Sequence, residues 1–467
     1  MIKEKCGVVG VYSFSDSNIV PTLVKCLESL QHRGQESWGI AVHGYEIFKR
    51  LGLILENPLD ISYLEKMEGN VGIAHTRYST KGSTSIENAH PIDIKGSFAI
   101  SHNGTIANVD EIAKKVSERN VVSELTDTQL IGIRLKQLYD DNGDWLSSFE
   151  ILSKELSGSY SMTILTKDGE LLAVRDGVGF RPLCLGYQSE SDTYIIASES
   201  CALDAVDAKL IRDVRPGELV RINKNGFSCY TFAEEERHAH CPFEYTYFAH
   251  PTSYLERINV YRARKNIGDE LARKYNIDGD VVIPVPDSAR PAAKGYAERS
   301  GIPFEEGLLK DRYKRSIRSF IEPAQKQREE IVKNIRIVKD VVNGKNVILV
   351  DDSIVRGTSS RIIVNKLKNC GAKKISLLST FPPIRYPCYA GIDFPDRNEL
   401  FAYRVCKDEA DIDYINRAVA SALGIEFVGY NTIEGLCAIG LPLNELCTSC
   451  TNGDYCCLKY VPKKWIK

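Results

Sequence analysis

No run of apolar residues in this 467-residue sequence approaches the length of a membrane span, so a membrane-embedded protein is not expected. An excess of one charge is also missing. The 60 Lys and Arg residues nearly balance 62 Asp and Glu, leaving a formal net charge of −2. That balance supplies no long-range field to draw in nucleic acid, so any anionic substrate has to be held by local geometry. The opening stretch MIKEKCGVVGVYSF has neither the apolar core nor the cleavage pattern of a signal peptide, and a cytoplasmic protein is expected. Internal repeats and low-complexity linkers are absent. What remains, 43% hydrophobic and 26% charged, is the composition of a globular enzyme, and the length predicts two domains.

Cysteine is the exception to this economy. Fourteen are many for a reducing compartment, where stable disulfides are uncommon, and most of them lie from Cys241 onward. Metal or cluster ligation therefore ranks ahead of a disulfide framework. Disulfides of the kind found in hyperthermophile proteins are the alternative, which the Lys- and Glu-rich composition also allows. Cys447-Thr448-Ser449-Cys450 has the spacing of a zinc, redox or cluster half-site.

The two halves read differently. Up to about residue 230, β-like segments at Gly7–Tyr12, Gly72–His75, Phe98–Ser101, Tyr160–Thr166, Glu170–Arg175 and Tyr194–Ala197 are interrupted by helical patterns at Ile19–Gln31, Thr128–Tyr139 and Trp145–Leu156. This predicts a layered α/β sandwich. The polar, acidic Thr231–His240 makes a junction. Beyond it, a long amphipathic segment, Leu255–Tyr275, precedes strands at Asp280–Val285, Asn346–Val350 and Lys374–Thr380 that alternate with helices at Arg290–Arg299 and Ser359–Asn369. Such alternation predicts βαβ units and a parallel sheet.

Chemistry concentrates in Val347–Ser359, VILVDDSIVRGTS. Apolar β-formers lead into two adjacent carboxylates, which places acids at the carboxyl end of a buried strand, the usual ligand position in an open α/β sheet. The RGTS turn can aim backbone N–H groups and a helix dipole at a phosphate. Asp351 and Asp352 can accept hydrogen bonds from hydroxyls or hold Mg²⁺ shared with phosphate oxygens. A site for both a diol and a phosphate points to a phosphorylated sugar. The alternative is an ordinary strand-end pair capping the next helix. The stretch resembles the phosphoribosyl-diphosphate (PRPP) motif of type I phosphoribosyltransferases. That resemblance implies Asp351 and Asp352 on the ribose and metal, with Gly357, Thr358 and Ser359 around the 5′-phosphate. Ile283–Ala289, IPVPDSA, resembles the pyrophosphate loop of PRPP amidotransferases, implying Asp287 as a substrate contact and Ser288 beside the Mg²⁺. Leu309–Arg328 is similar to a loop that closes over PRPP, though longer, with Arg312, Tyr313 and Arg318 as closing contacts; a solvated charge run is the alternative, and Lys333, beyond the loop, is a lesser candidate for the diphosphate.

In the first half Cys6 begins a strand, accompanied by QHRGQESWGIA from Gln31, GIAHTRYSTKG from Gly72, HNGTIAN from His102, RDGVGFRPL from Arg175 and ASES from Ala197. A lone Cys6 reads more readily as a small buried residue. Together these segments resemble the class II glutamine amidotransferase domain of the N-terminal nucleophile (Ntn) hydrolases, an αββα sandwich. The resemblance implies Cys6 as nucleophile, with its own α-amino group as base, so Met1–Lys5 is expected to be a removed propeptide. It also implies Asn103 and Gly104 as the oxyanion hole, Arg77 on the glutamine α-carboxylate and Asp127 on the α-ammonium. A helix N-cap is the alternative for Asp127. Arg33 is grouped with the substrate contacts, more as support for the nucleophile's loop than as a touching residue. His90, in ENAHPI, departs from the Gln that many members carry before this proline; it is expected to be a satisfied histidine behind the site.

Cys241, Cys388, Cys447 and Cys450 match the positions where one branch of the PRPP amidotransferases carries a structural [4Fe–4S] cluster; a four-cysteine zinc site is the alternative, and Cys456 and Cys457 are close enough to compete. The whole chain thus resembles the glutamine PRPP amidotransferase family, with a propeptide at 1–5, an amidotransferase domain at 6–235 and a phosphoribosyltransferase domain with a cysteine-rich tail at 236–467. The family implies glutamine and PRPP as substrates, Mg²⁺, purine nucleotides as feedback inhibitors and a homotetramer, with no nucleic acid or membrane partner. Two competitors stay open. One is another class II amidotransferase, which gives no reason for VILVDDSIVRGTS. The other is a non-catalytic PRPP-sensing regulator, which needs neither Cys6 nor Asn103.

Overall fold

A computed structural model describes residues 6–78, 85–116, 125–234, 237–310, 334–392, 394, 396–409 and 411–461. The first half contributes thirteen strands in the described residues: β1 (Gly7–Ser13), β2 (Ser37–Val42), β3 (Phe48–Leu51), β4 (Val71–Arg77), β5 (Ile92–Ile94), β6 (Phe98–Ile106), β7 (Gly158–Thr166), β8 (Leu171–Arg175), β9 (Cys184–Gln188), β10 (Thr193–Ala197), β11 (Lys209–Asp213), β12 (Glu218–Asn223) and β13 (Gly226–Thr231). They form two antiparallel sheets, ordered β11-β9-β10-β1-β4-β2-β3 and β13-β12-β8-β7-β6-β5.

Alternation along β1 shows how the layers arise. Val8 and Tyr12 face the second sheet, packing with Leu165, Leu171 and Ala173. Val9 and Val11 face outward onto Val20, Leu23 and Leu27 of helix Val20–Ser29. With both faces covered, the strand is apolar throughout. The outer face of the second sheet carries helices Asp127–Asn142 and Trp145–Glu155 through Leu130, Leu135, Phe149 and Leu152. The result is the expected αββα sandwich.

In the second half, strands Val281–Pro284, Asn346–Asp351, Lys374–Ser379 and Phe427–Tyr430 lie side by side in chain order, all parallel. Ile348, Val350 and Leu378 pack on one side against helices Val260–Lys274 and Arg290–Ser300. Val347, Leu349 and Leu377 pack on the other against Thr358–Asn369 and Ile412–Leu423. The parallel sheet is therefore buried on both faces, as the near-continuous apolar runs require.

The long segment from Leu255 is not one helix. Tyr254–Leu255 and Ile258–Asn259 form a short hairpin, and the helix starts at Val260 because the Asn259 side chain accepts from the Arg262 N–H at 3.1 Å. The expected domain boundary at 235/236 falls outside the described residues. Among the described residues no helix is long and apolar enough to cross a membrane.

Candidate active site

Cys6 sits one residue ahead of β1, whose last pair with β4 is Gly7↔Thr76, so the thiol lies beside Arg77 at the open end of the sandwich. Its Sγ donates to the Tyr78 carbonyl at 3.8 Å. The second sheet meets the first here: His75 Nε2 is 3.0 Å from the His102 carbonyl, bringing the Arg77 end of β4 against the Asn103 end of β6. Asn103 is buried, and its Nδ2 has no hydrogen-bond partner among the described residues, a donor left over for another oxygen. Gly104 follows at φ 154°, and a Cβ there would stand 2.0 Å from the Ser159 carbonyl oxygen, so only glycine fits. Asp127 opens its helix at this end, its carboxylate accepting from Thr128 N–H at 2.8 Å and Ile106 N–H at 3.4 Å. It is not the N-cap: Thr126 is, in a reciprocal box with Gln129.

Arg33 is turned onto the Cys6 backbone and two buried carboxylates. Its guanidinium is fully buried; Nε donates to the Cys6 carbonyl at 2.8 Å, and the remaining nitrogens go to Glu199 and Glu244, the latter bidentate at 2.9 and 3.0 Å. Burial alone would raise the Glu199 carboxyl, but His32 and Arg33 hold it well below the usual carboxylate range. Glu199 also accepts from the His250 N–H and the Ser253 hydroxyl, both at 2.7 Å, and so joins the two halves.

At the carboxyl end of the parallel sheet lies a cavity of about 490 Å³ lined by Asp287, Ser288, Asp351, Asp352, Gly357, Thr358 and Ser359, the residues expected from the two strand-end motifs. His32 of the first half forms part of its wall. Ser288 Oγ donates to Asp352 at 2.5 Å, and Ser353 Oγ does so at 2.7 Å. Burial and the neighbouring Asp352 push the Asp351 carboxyl well above its ordinary value. Two acids and a hydroxyl crowded this way are a hard oxygen set that a Mg²⁺ ion would relieve. Gly357, at φ 76°, turns the chain into helix Thr358–Asn369, whose N-terminus has no side-chain cap and opens onto the cavity. A Cβ at Gly357 would meet the Phe401 ring at 2.7 Å. Lys310 donates to Asp287 at 2.6 Å, and Arg264, lowered to about 10 by burial, lines the wall nearby. Arg312, Tyr313, Arg318 and Lys333, like Met1–Lys5, lie outside the described residues.

Residues 75–205 match the family of glutamine amidotransferase domains. The amidophosphoribosyltransferase of Methanothermobacter thermautotrophicus is 41% identical over 467 residues, 97% of this chain and 95% of that protein. That of Methanocaldococcus jannaschii is 39% identical, over 96% of this chain and 97% of that one. The chain belongs to the amidophosphoribosyltransferase family. Among solved structures, the glutamine PRPP amidotransferase from B. subtilis complexed with ADP and GMP matches with a TM-score of 0.83 at 36% identity, covering 96% of this chain and 97% of that one.

Like its amidophosphoribosyltransferase relatives, the chain spans both halves, and its cysteines gather where they meet. Cys241, Cys388, Cys447 and Cys450 line a second, largely apolar cavity with Phe180, Phe243 and Ile392. Burial pushes all four thiols up, Cys388 to about 12, with the Arg181 guanidinium working against it at Cys241 and Cys388. No disulfide joins any described cysteine. Cys456 is exposed, 3.8 Å from Cys457, and neither lines this cavity.

His90 is buried and accepts from the His102 N–H at 3.3 Å, a satisfied group behind the site as expected. The residues that sequence reasoning missed are His32, Glu199, Glu244, Tyr247 and Arg264. Glu199 stands in the ASES run and His32 in QHRG, so the segments were visible; their partners, 51 to 167 positions away, were not.

Proposed function

We propose that this chain is a glutamine-dependent amidophosphoribosyltransferase: PRPP + glutamine + water → 5-phosphoribosylamine + glutamate + diphosphate, the first committed step of purine synthesis. The observation that carries this reading is the cavity holding Asp351, Asp352 and an uncapped helix N-terminus, walled in part by His32, whose neighbour Arg33 grips the Cys6 carbonyl.

In this mechanism the Cys6 sulfur attacks the glutamine amide carbon, with the α-amino group, intrinsic pKa ~8, as base once Met1–Lys5 is removed. Asn103 Nδ2 and the Gly104 N–H receive the oxyanion, while Arg77 and Asp127 hold the α-carboxylate and α-ammonium. Collapse releases ammonia, and water then cleaves the thioester to glutamate. Tyr247 spans the two sites: it lines the cavity and lies within the electrostatic reach of Tyr78, Asp351 and Asp352. Ammonia displaces diphosphate at the sugar C1, with Gly357, Thr358 and Ser359 holding the 5′-phosphate and Asp287 beside the leaving group. Mg²⁺ held by Ser288, Asp351 and Asp352 would neutralise the diphosphate.

We read the four-cysteine pocket as a structural [4Fe–4S] site. Tetrahedral zinc at 2.3 Å needs sulfurs about 3.8 Å apart. Among the described residues no three of these sulfurs lie mutually within 4.8 Å, which favours a larger group. Purine nucleotides as feedback inhibitors and a homotetramer complete the reading. The experiment is a paired assay. Cys6→Ala should abolish glutamine-dependent phosphoribosylamine formation and leave ammonia-dependent formation intact. Loss of both, or of neither, refutes the division of labour.

A further inference from the structure

We propose a second metal site, separate from the four-cysteine pocket, in which His238, His240 and Glu445 bind a divalent cation of the Zn²⁺ and Co²⁺ class. One ring nitrogen of each histidine and one Glu445 carboxylate oxygen lie within 4.8 Å of one another. Two imidazoles and a carboxylate are a borderline donor set, which suits these ions better than Mg²⁺ or Ca²⁺, and water can complete the coordination.

The backbone presets the arrangement. Residues 237–240 run beside 444–447, with the His240 N–H donating to the Glu445 carbonyl at 2.8 Å and the Cys447 N–H to the His240 carbonyl at 2.9 Å. Arg237 adds a bond from Nε to the Asn444 carbonyl, and its Nη1 lies 2.8 Å from Cys456 Sγ. Glu445 forms no ion pair among the described residues.

His240 already has the outer contact of a metal-bound imidazole. Its Nδ1 is 2.9 Å from the Gly179 carbonyl and 3.7 Å from the Glu256 carboxylate. Arg175 Nη2 approaches the same nitrogen at 3.4 Å, but the carbonyl is nearer and Glu256 engages Arg175 at 2.7 Å. The proton is therefore held on Nδ1, leaving the Nε2 lone pair for an ion. His240 is buried, while His238 and Glu445 are half-buried and give the site an open side. Because His240 precedes Cys241 and Glu445 lies two residues before Cys447, a bound ion would clip the inter-domain junction to the C-terminal tail. The assignment does not depend on the reaction.

The test is Co²⁺ titration of the full-length protein as isolated, read by difference absorption, alongside His238→Ala and Glu445→Gln. One equivalent should bind with ligand-field bands and no thiolate-to-cobalt charge transfer. Each substitution should weaken binding by more than the roughly 10–100-fold seen when an outer-shell partner is removed. Zn²⁺ should raise the melting temperature of the parent and not of the variants. If His238→Ala fails to fold, the near-isosteric Glu445→Gln carries the same comparison. Binding unchanged by the substitutions, or a thiolate charge-transfer band, would place the ion elsewhere and overturn the proposal.

Discussion

Acidification combined with His90→Gln tests the physical account of the first half most directly. His75 is buried, and burial lowers it from 6.5 to about 3; burial likewise takes His90 well below 6.5. At His90 the geometry also requires a neutral ring, since its Nδ1 accepts the His102 N–H and has no lone pair left to protonate without losing that bond. In the unfolded chain both titrate near 6.5. The stability they contribute is therefore complete above pH 6.5 and is lost progressively as the pH falls towards 3, because only the unfolded state takes up the protons. At pH 5 each such histidine costs about 2 kcal/mol, and the two together about 4 kcal/mol. Glutamine at position 90 keeps an acceptor for the His102 N–H and does not titrate. Urea unfolding of a Trp465→Phe background, followed by Trp38 and Trp145 of the first half, should therefore show the loss between about pH 8 and about pH 5 shrinking by about 2 kcal/mol in His90→Gln. An identical loss in both proteins would refute the reasoning.

Asn103→Ala should lower glutamine-dependent kcat by about 10²–10³ while sparing ammonia-dependent synthesis, as removal of one oxyanion donor does; equal losses in the two assays would contradict it. Cys450→Ser should remove the iron and visible absorbance of anaerobically purified protein, and Cys456→Ser should retain both; the reverse would move the ligand set to the Cys456–Cys457 pair. Glu244→Gln leaves the buried Arg33 and Arg181 short of one countercharge and should destabilise the protein by about 3–5 kcal/mol in denaturant unfolding; a change below 1 kcal/mol would mean the pairing contributes little.

The legible parts of this chain were those in which one local pattern suffices. VILVD is apolar at consecutive positions because its strand is central in a parallel sheet, and the carboxylates that end it fall at the sheet's open edge. Outer strands were harder to read: β11, Lys209–Asp213, has no fully buried residue and lacks the alternation that would mark it. Strand β6 continues through His102–Ile106, a polar run that reads as a loop yet pairs with β7 along its whole length. The N-cap weighed as the alternative role for Asp127 belongs to its neighbour Thr126; both are good caps, and only the Gln129 side chain distinguishes them. Glu244 gave no signal at all. It lies in a short π-turn, Glu244–Phe248, and acquires meaning only from arginines far away in sequence.

Those arginines explain why the halves meet through buried charge. A buried ion pair contributes little net stability against an apolar replacement, so Arg33, Arg181, Glu199 and Glu244 are poorly accounted for as glue. They do fix one arrangement. Arg33 has a single fork to share between Glu244 of the second half and Glu199 of the first, and its Nε is left at the angle that meets the Cys6 carbonyl. An apolar interface could slide by an ångström with little cost; this one cannot without stranding a charge in the interior. The position of the Cys6 backbone is thus set by how the second half is seated, and the same Glu199 that anchors Arg33 accepts from the His250 N–H in the wall of the cavity. A shift of that wall has a short, fully hydrogen-bonded route to Cys6.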